Sequence, residues 1–215
     1  MGPTATRTFD LGDESVTGER LWDASFVDSA DWLVELQEPD TSEVSFDDGH
    51  MRIQCTGGGG NGVTVWTRQE FPADVVFEFT ASMRETGDSE PTSRNLNCFF
   101  RARETPGQAL DETTRSGAYP DYHDWDNYIF TLTRTHTRLR RDPGFEMVSD
   151  LALGAQPDVE YTVRIAAVGD RVQATVNDRL LHDWRDPEPH GSGWIGMRTY
   201  NTDVTYTDWT VYGVQ

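Results

Sequence analysis

The clearest regularity in the chain is a two-residue alternation of apolar and polar side chains. Val75, Phe77, Phe79, Ala81 and Met83 fall on one phase, and Glu78, Thr80, Ser82 and Arg84 on the other. Successive side chains of a strand point to opposite faces, so this run predicts a half-buried strand with Glu78 and Thr80 turned away from the core. Leu96, Cys98 and Phe100 alternate in the same way with Asn97, Phe99 and Arg101, and Tyr128, Phe130 and Leu132 with Ile129, Thr131 and Thr133. Tyr161, Val163, Ile165 and Ala167 form another such strand, and Val172, Ala174 and Val176 return from it after Gly169-Asp170. Residues 43–46 and 50–55 flank Asp47-Asp48-Gly49, a strong hairpin signal. Further strand-like runs lie at 63–67, 179–184, 194–199 and 204–211. No segment keeps a helical period over three turns. The pattern predicts an all-β protein, a two-sheet antiparallel β-sandwich or jelly roll.

Between the strands, the breakers divide the chain. Residues 1–20 are polar, acidic and aperiodic, and are expected to form a flexible arm ordered only by docking. Residues 21–215 show no boundary and no internal repeat, which predicts a single β-sandwich domain. The glycine-rich stretch at 57–62 reads as a loop; it lacks the lysine and following helix of a phosphate-binding loop. Residues 85–94 read as a polar loop. The stretch from 104 to 125 is the longest without a strand pattern, and such a loop in a compact domain is usually functional or unstructured.

Charge narrows the function classes. The 215 residues carry a net charge of −19, and all 18 basic residues are arginine. Such a field repels nucleic acid, so none is expected as a partner. A lysine-free acidic surface stays hydrated where salt screens its self-repulsion, which points to a high-salt source. No apolar run approaches membrane-spanning length, and the first residues lack a secretory core, leaving a cytoplasmic location as the default expectation. Cys55 and Cys98 lie on separate predicted strands and are expected as buried free thiols, without a zinc site. Asp47-Asp48 and Asp124/Asp126 are conceivable calcium ligands, but they lack alternating ligand spacing, so no metal or cofactor is assigned.

Chemistry gathers in the segment 115–127. Arg115, Tyr119, Tyr122, His123, Trp125 and Asn127 lie on a loop that runs into the strand at 127–134. Together with Val65-Trp66, Glu70-Phe71-Pro72, Cys98-Phe99-Phe100, Asp126-Asn127, Gly144-Phe145 and Ile195-Gly196-x-Arg198, this loop gives the chain a family likeness. It resembles the concanavalin A-like lectin/glucanase superfamily and, within it, the YesU-like bacterial proteins of unknown function, over roughly residues 20–213. The resemblance implies a jelly roll whose concave sheet carries a saccharide groove. The chain departs from the glucanases, which carry a Glu-x-Asp-x-x-Glu strand; here there is Asp121-x-x-Asp124-x-Asp126 in a loop.

These residue types suit β-elimination on a uronate better than two-carboxylate glycoside hydrolysis. That reaction needs a base, an acid and a neutraliser for the carboxylate. His123, Tyr122 and Tyr119 are the candidate catalytic groups. Arg115, Asn127, Trp125, Trp66 and Arg198 are the candidate binding groups, with a guanidinium fork matched to a carboxylate and Trp125 expected at the surface. The basic residues Arg134, Arg138, Arg140 and Arg141, interleaved with His136, read either as a groove for acidic glycans or as a salt-bridged strand. The expectation is a protein that recognises an anionic oligo- or polysaccharide, with lyase activity open. A non-catalytic glycan-binding module and an interaction sandwich without a saccharide ligand are the alternatives.

Overall fold

The computed structural model describes residues 5–24, 26–56, 61–84, 94–104 and 109–215. The 57–60 glycine run, 85–93 of the polar loop and 105–108 of the long loop lie outside the described residues. The first strands are β1 (Thr6–Asp10), β2 (Ser15–Asp23), β3 (Trp32–Leu36), β4 (Glu43–Asp47) and β5 (His50–Gln54). Then come β6 (Gly62–Thr67), β7 (Val75–Arg84), β8 (Leu96–Arg103), β9 (Asp126–Leu132), β10 (Thr137–Asp142) and β11 (Glu146–Leu151). The last are β12 (Glu160–Val168), β13 (Arg171–Val176), β14 (Arg179–Arg185), β15 (Trp194–Tyr200) and β16 (Asp203–Val214). One sheet has nine strands, in the order β1-β2-β16-β7-β12-β13-β14, with the β4–β5 hairpin joined through β5 to β16. The other has seven, in the order β11-β10-β9-β8-β15-β6-β3. Every pairing is antiparallel.

The alternation along β7 fixes how the sheets stack. Val75, Phe77, Phe79, Ala81 and Met83 meet Cys98, Phe100, Phe130 and Leu132 of the opposite sheet in the main core. The expected hairpin closes with Asp47 opposite His50, and its two turn residues, Asp48 (φ 47°) and Gly49 (φ 80°), are both left-handed. That is the turn whose twist matches the flanking strands. Cys55 and Cys98 are free and buried.

Within the segment expected as an arm ordered by docking, the described residues 5–20 lie on the nine-stranded sheet. β1 pairs with β2, and β2 extends the nine-stranded sheet through β16. Phe9 and Leu11 pack on Val76 and Ala166, which lie on the face of that sheet away from the main core, and Phe9 meets the Tyr212 ring edge-on at 5.1 Å. A polar edge strand carries no hydrophobic period; backbone pairing and two buried side chains hold it instead. Thr80, which the strand pattern turned away from the core, is 7% exposed between its strand neighbours Thr162 and Thr207.

The outer face of the seven-stranded sheet sets up the site. The strand registers align a polar row across it, Glu35, Thr64, Arg198, Asn97, Thr131 and Arg138. The next row is Leu33, Trp66, Gly196, Phe99, Ile129 and Arg140, mostly apolar. An apolar row on an outer face must be covered. The 104–126 loop does this by laying Leu110, Tyr122 and Trp125 on Trp66, Phe99 and Ile129. Trp66 can lie flat across the strands because residue 196 is glycine; a Cβ there would stand 2.4 Å from the indole.

Candidate functional site

The covering loop is fastened at Glu35, a carboxylate in the otherwise apolar run of β3. Its Oε1 accepts from Arg115 Nε at 2.5 Å. Its Oε2 accepts from the Tyr122 hydroxyl at 2.6 Å and from Trp66 Nε1 at 3.2 Å. Arg115 further donates to the Leu110 carbonyl at 2.7 Å and to Glu104 at 3.1 Å, and its guanidinium lies 5.0 Å from the centre of the Trp125 ring. Asn127 Nδ2 holds the end of the loop by donating to the carbonyls of Tyr122 (3.0 Å) and Trp125 (3.2 Å). Gly117, at φ +79°, lets the loop press on β3, where a Cβ would meet Gln37 N at 2.9 Å.

Several expected site residues therefore form the loop's own scaffold. Arg115 is occupied by Glu35 and Glu104. Tyr122 is buried, and burial followed by the Glu35 charge drives its hydroxyl well above the ordinary tyrosine range. Trp66 is fully buried. Trp125, expected at the surface, is 4% exposed and stacks on Trp66 at 5.6 Å, because the apolar row beneath it needs a roof.

The polar row stays open where the loop ends. A cleft of about 340 Å³ lies there, floored by Asn95, Asn97, Arg198 and Tyr200 and walled by Gln37 and the 118–120 lip, including Tyr119. Asn97 is fixed by its neighbours: its Oδ1 accepts from Thr131 Oγ1 at 2.7 Å, and its Nδ2 donates to Asn95 Oδ1 at 2.6 Å. The Arg198 guanidinium lies 4.6 Å from the centre of the Tyr119 ring. Arg198 is 3% exposed, its Nε has no hydrogen-bond partner, and burial lowers its pKa. Burial raises the Tyr119 hydroxyl, against the opposing pull of Arg140 and Arg198.

His123 stands behind this cleft and does not line it. Its Nδ1 lies 2.9 Å from Asp142 Oδ2, and its ring packs 4.6 Å from Tyr119 and 4.0 Å from Phe145, centre to centre. Of the basic residues on and before β10, Arg138 pairs with Asp150 at 3.0 Å and Arg141 with Asp186 at 2.8 Å. Both fit the salt-bridged strand reading. Among the described residues, no group of three or more His, Cys, Asp or Glu side chains is arranged to hold a metal ion.

The structure thus brings Tyr119 and Arg198 to one cleft, sets His123 beside Tyr119, and assigns Arg115, Tyr122, Asn127, Trp66 and Trp125 to the loop scaffold. Sequence reasoning missed Glu35, Gln37, Asn95, Asn97, Tyr200 and Asp142. A signal existed for Glu35, an acid inside Trp32-Leu33-Val34-x-Leu36, and for Asn97, a polar residue on the outward phase of its strand.

Known structures share this architecture. A Bacillus subtilis protein of unknown function with a galectin-like fold is 20% identical at a TM-score of 0.74, over 91% of this chain and 96% of that one. The carbohydrate binding module CBM66 from Bacillus subtilis is 11% identical at a TM-score of 0.59, over 85% and 96%. The carbohydrate recognition domain of Emp46p in its potassium-bound form is 12% identical at 0.62, over 90% and 95%. At these identities the likeness is one of fold. No curated protein sequence matches the chain. A family model described as a domain of unknown function, DUF6250, matches residues 59–209, and with most of its length so matched the chain belongs to that family.

Proposed function

We propose that this protein recognises an acidic, uronate-containing saccharide in the cleft formed by Gln37, Asn95, Asn97, Tyr119, Arg198 and Tyr200. One observation carries the reading. Arg198 is a buried guanidinium without a carboxylate partner among the described residues, held at the floor of a cleft lined by amides and phenols. Leaving a buried charge unpaired is costly, and a ligand carboxylate would relieve it with bidentate hydrogen bonds. The amides of Gln37 and Asn95 suit sugar hydroxyls, each having both donor and acceptor, and Asn97 holds Asn95 in place. The carbohydrate-binding descriptions of the fold relatives, CBM66 and Emp46p among them, support the saccharide class. So does the resemblance to the concanavalin A-like and YesU-like proteins.

A β-elimination activity is the second reading, favoured by the contact between the Tyr119 and His123 rings beside Arg198. In it Tyr119 would face the reacting sugar, and His123, oriented by Asp142, would act through Tyr119.

The test is calorimetric titration with an oligouronide and with its carboxyl-reduced counterpart. Binding of the first and not the second is expected, with Arg198→Gln losing roughly ten- to hundredfold in affinity. Equal binding of both would overturn the acidic-ligand reading. A rise in absorbance from unsaturated products would assign the lyase; binding without products assigns a module.

A further inference from the structure

Among the described residues, five arginine side chains are buried, and three of them have carboxylate partners. Arg101 pairs with Asp74, Arg171 with Asp183 and Arg115 with Glu35. Arg198 and Arg140 form no ion pair among the described residues, although the chain has 37 acidic residues for 18 arginines. Each has a buried Nε without a hydrogen-bond partner. Arg140 is 6% exposed, and its guanidinium lies 4.3 Å from the centre of the Phe145 ring. The two arginines flank one residue. The Arg198 guanidinium lies against the Tyr119 ring, and Phe145, which covers Arg140, packs edge-on against the same ring at 5.5 Å. The nearest acids are engaged elsewhere: Asp142 holds His123 and the Phe145 N–H, and Asp150 holds Arg138.

Building on the saccharide reading above, we infer that the cleft is the open half of a two-anion site. Its second seat is Arg140, reached when the packed Tyr119 and Phe145 rings move aside, and its ligand is an acidic oligosaccharide with anionic groups on two sugar units. Two pieces of chemistry carry this. A buried guanidinium with unmet donors calls for an acceptor, and a carboxylate or sulfate oxygen supplies the strongest one. Two such forks, one against the Tyr119 ring and one against the Phe145 ring that packs on it, suit two charges carried on neighbouring sugar units, whose apolar faces can pack where these rings now lie. Tyr119 opens the short 3-10 turn Tyr119–Tyr122, outside the strands, so displacement of its ring breaks no strand pairing.

The experiment compares a monouronide methyl glycoside with an oligouronide, on the native chain, Arg140→Gln, Arg140→Lys and Arg198→Gln. For Arg140→Gln the oligouronide affinity is expected to fall roughly ten- to hundredfold, with monouronide affinity unchanged. Arg140→Lys should recover part of the loss, which separates lost charge from lost packing. Arg198→Gln should weaken both ligands. If Arg140→Gln binds the oligouronide as the native chain does while Arg198→Gln does not, the second seat is overturned and the cleft reading stands. If Arg140→Lys binds as weakly as Arg140→Gln, the effect is one of packing and the second seat is likewise overturned. If neither uronide binds the native chain, both readings are overturned.

Discussion

Glu35 and Arg115, 80 residues apart in sequence, meet as a buried pair at 2.5 Å, and this contact fastens the long loop to the sheet it covers. Their side chains are 7% and 4% exposed, so solvent screens the pair weakly. The same carboxylate takes the Tyr122 hydroxyl and the Trp66 indole N–H, leaving one acid to satisfy three buried donors.

Glu35→Ala is therefore expected to lower stability by about 3–5 kcal/mol, because it breaks a buried pair and also leaves the buried Tyr122 and Trp66 donors without their acceptor. Urea unfolding measures this directly. A loss under about 1 kcal/mol would mean that the loop is held by its aromatics alone.

Gly196 faces the Trp66 ring, and a methyl group there has no room. Gly196→Ala should cost about 1–3 kcal/mol through displacement of Trp66 and the roof packed on it. A thermal melt accompanied by near-ultraviolet dichroism of the tryptophans would record both effects. An unchanged tryptophan signal would contradict the packing described.

His182 supplies a pH prediction. Its Nε2 lies 3.1 Å from Thr137 Oγ1 and its Nδ1 lies 2.9 Å from Ser149 Oγ, and burial lowers its pKa from 6.5 to about 4. The unfolded chain then binds a proton that the folded chain refuses. The stability from the neutral ring is present above about pH 6.5 and is lost as pH falls toward about 4, on the order of 3 kcal/mol in total. His182→Asn should flatten the stability profile in that window; an unaltered slope would place the titration elsewhere.

Salt should act on the whole surface. With a net charge of −19, self-repulsion is screened as ionic strength rises, and the melting temperature is expected to climb from low to molar salt. A flat or falling curve would remove the case for a high-salt origin.

Local pattern was enough to set the strands. The period-two run of β7 decides its core face by itself, since each side chain's direction follows from its neighbour's. The hairpin at 47–50 was equally legible, because Asp48-Gly49 meets the turn's need for two left-handed residues. Strand and hairpin signals of this kind, repeated along the chain, determined an all-β sandwich. The β1–β2 segment was illegible, because an edge strand held by backbone pairing leaves no hydrophobic signature.

The site was only half legible for a related reason. The loop's tyrosines, histidine and arginine announce chemistry by type, but type does not tell a ligand-facing group from a scaffold group. Arg115 and Arg198 carry the same fork; Glu35 lies beside one and no acid among the described residues pairs with the other, and β3 and β15 settle that from distant parts of the chain. The row of Glu35, Thr64, Arg198, Asn97 and Thr131 is drawn from five strands whose order in the sheet is not their order in sequence. Residue content and local period fixed the fold class and nominated Tyr119 and Arg198. Only strand order and register decided which polar groups share a cleft, because those neighbours meet through hydrogen-bonded pairing between distant segments.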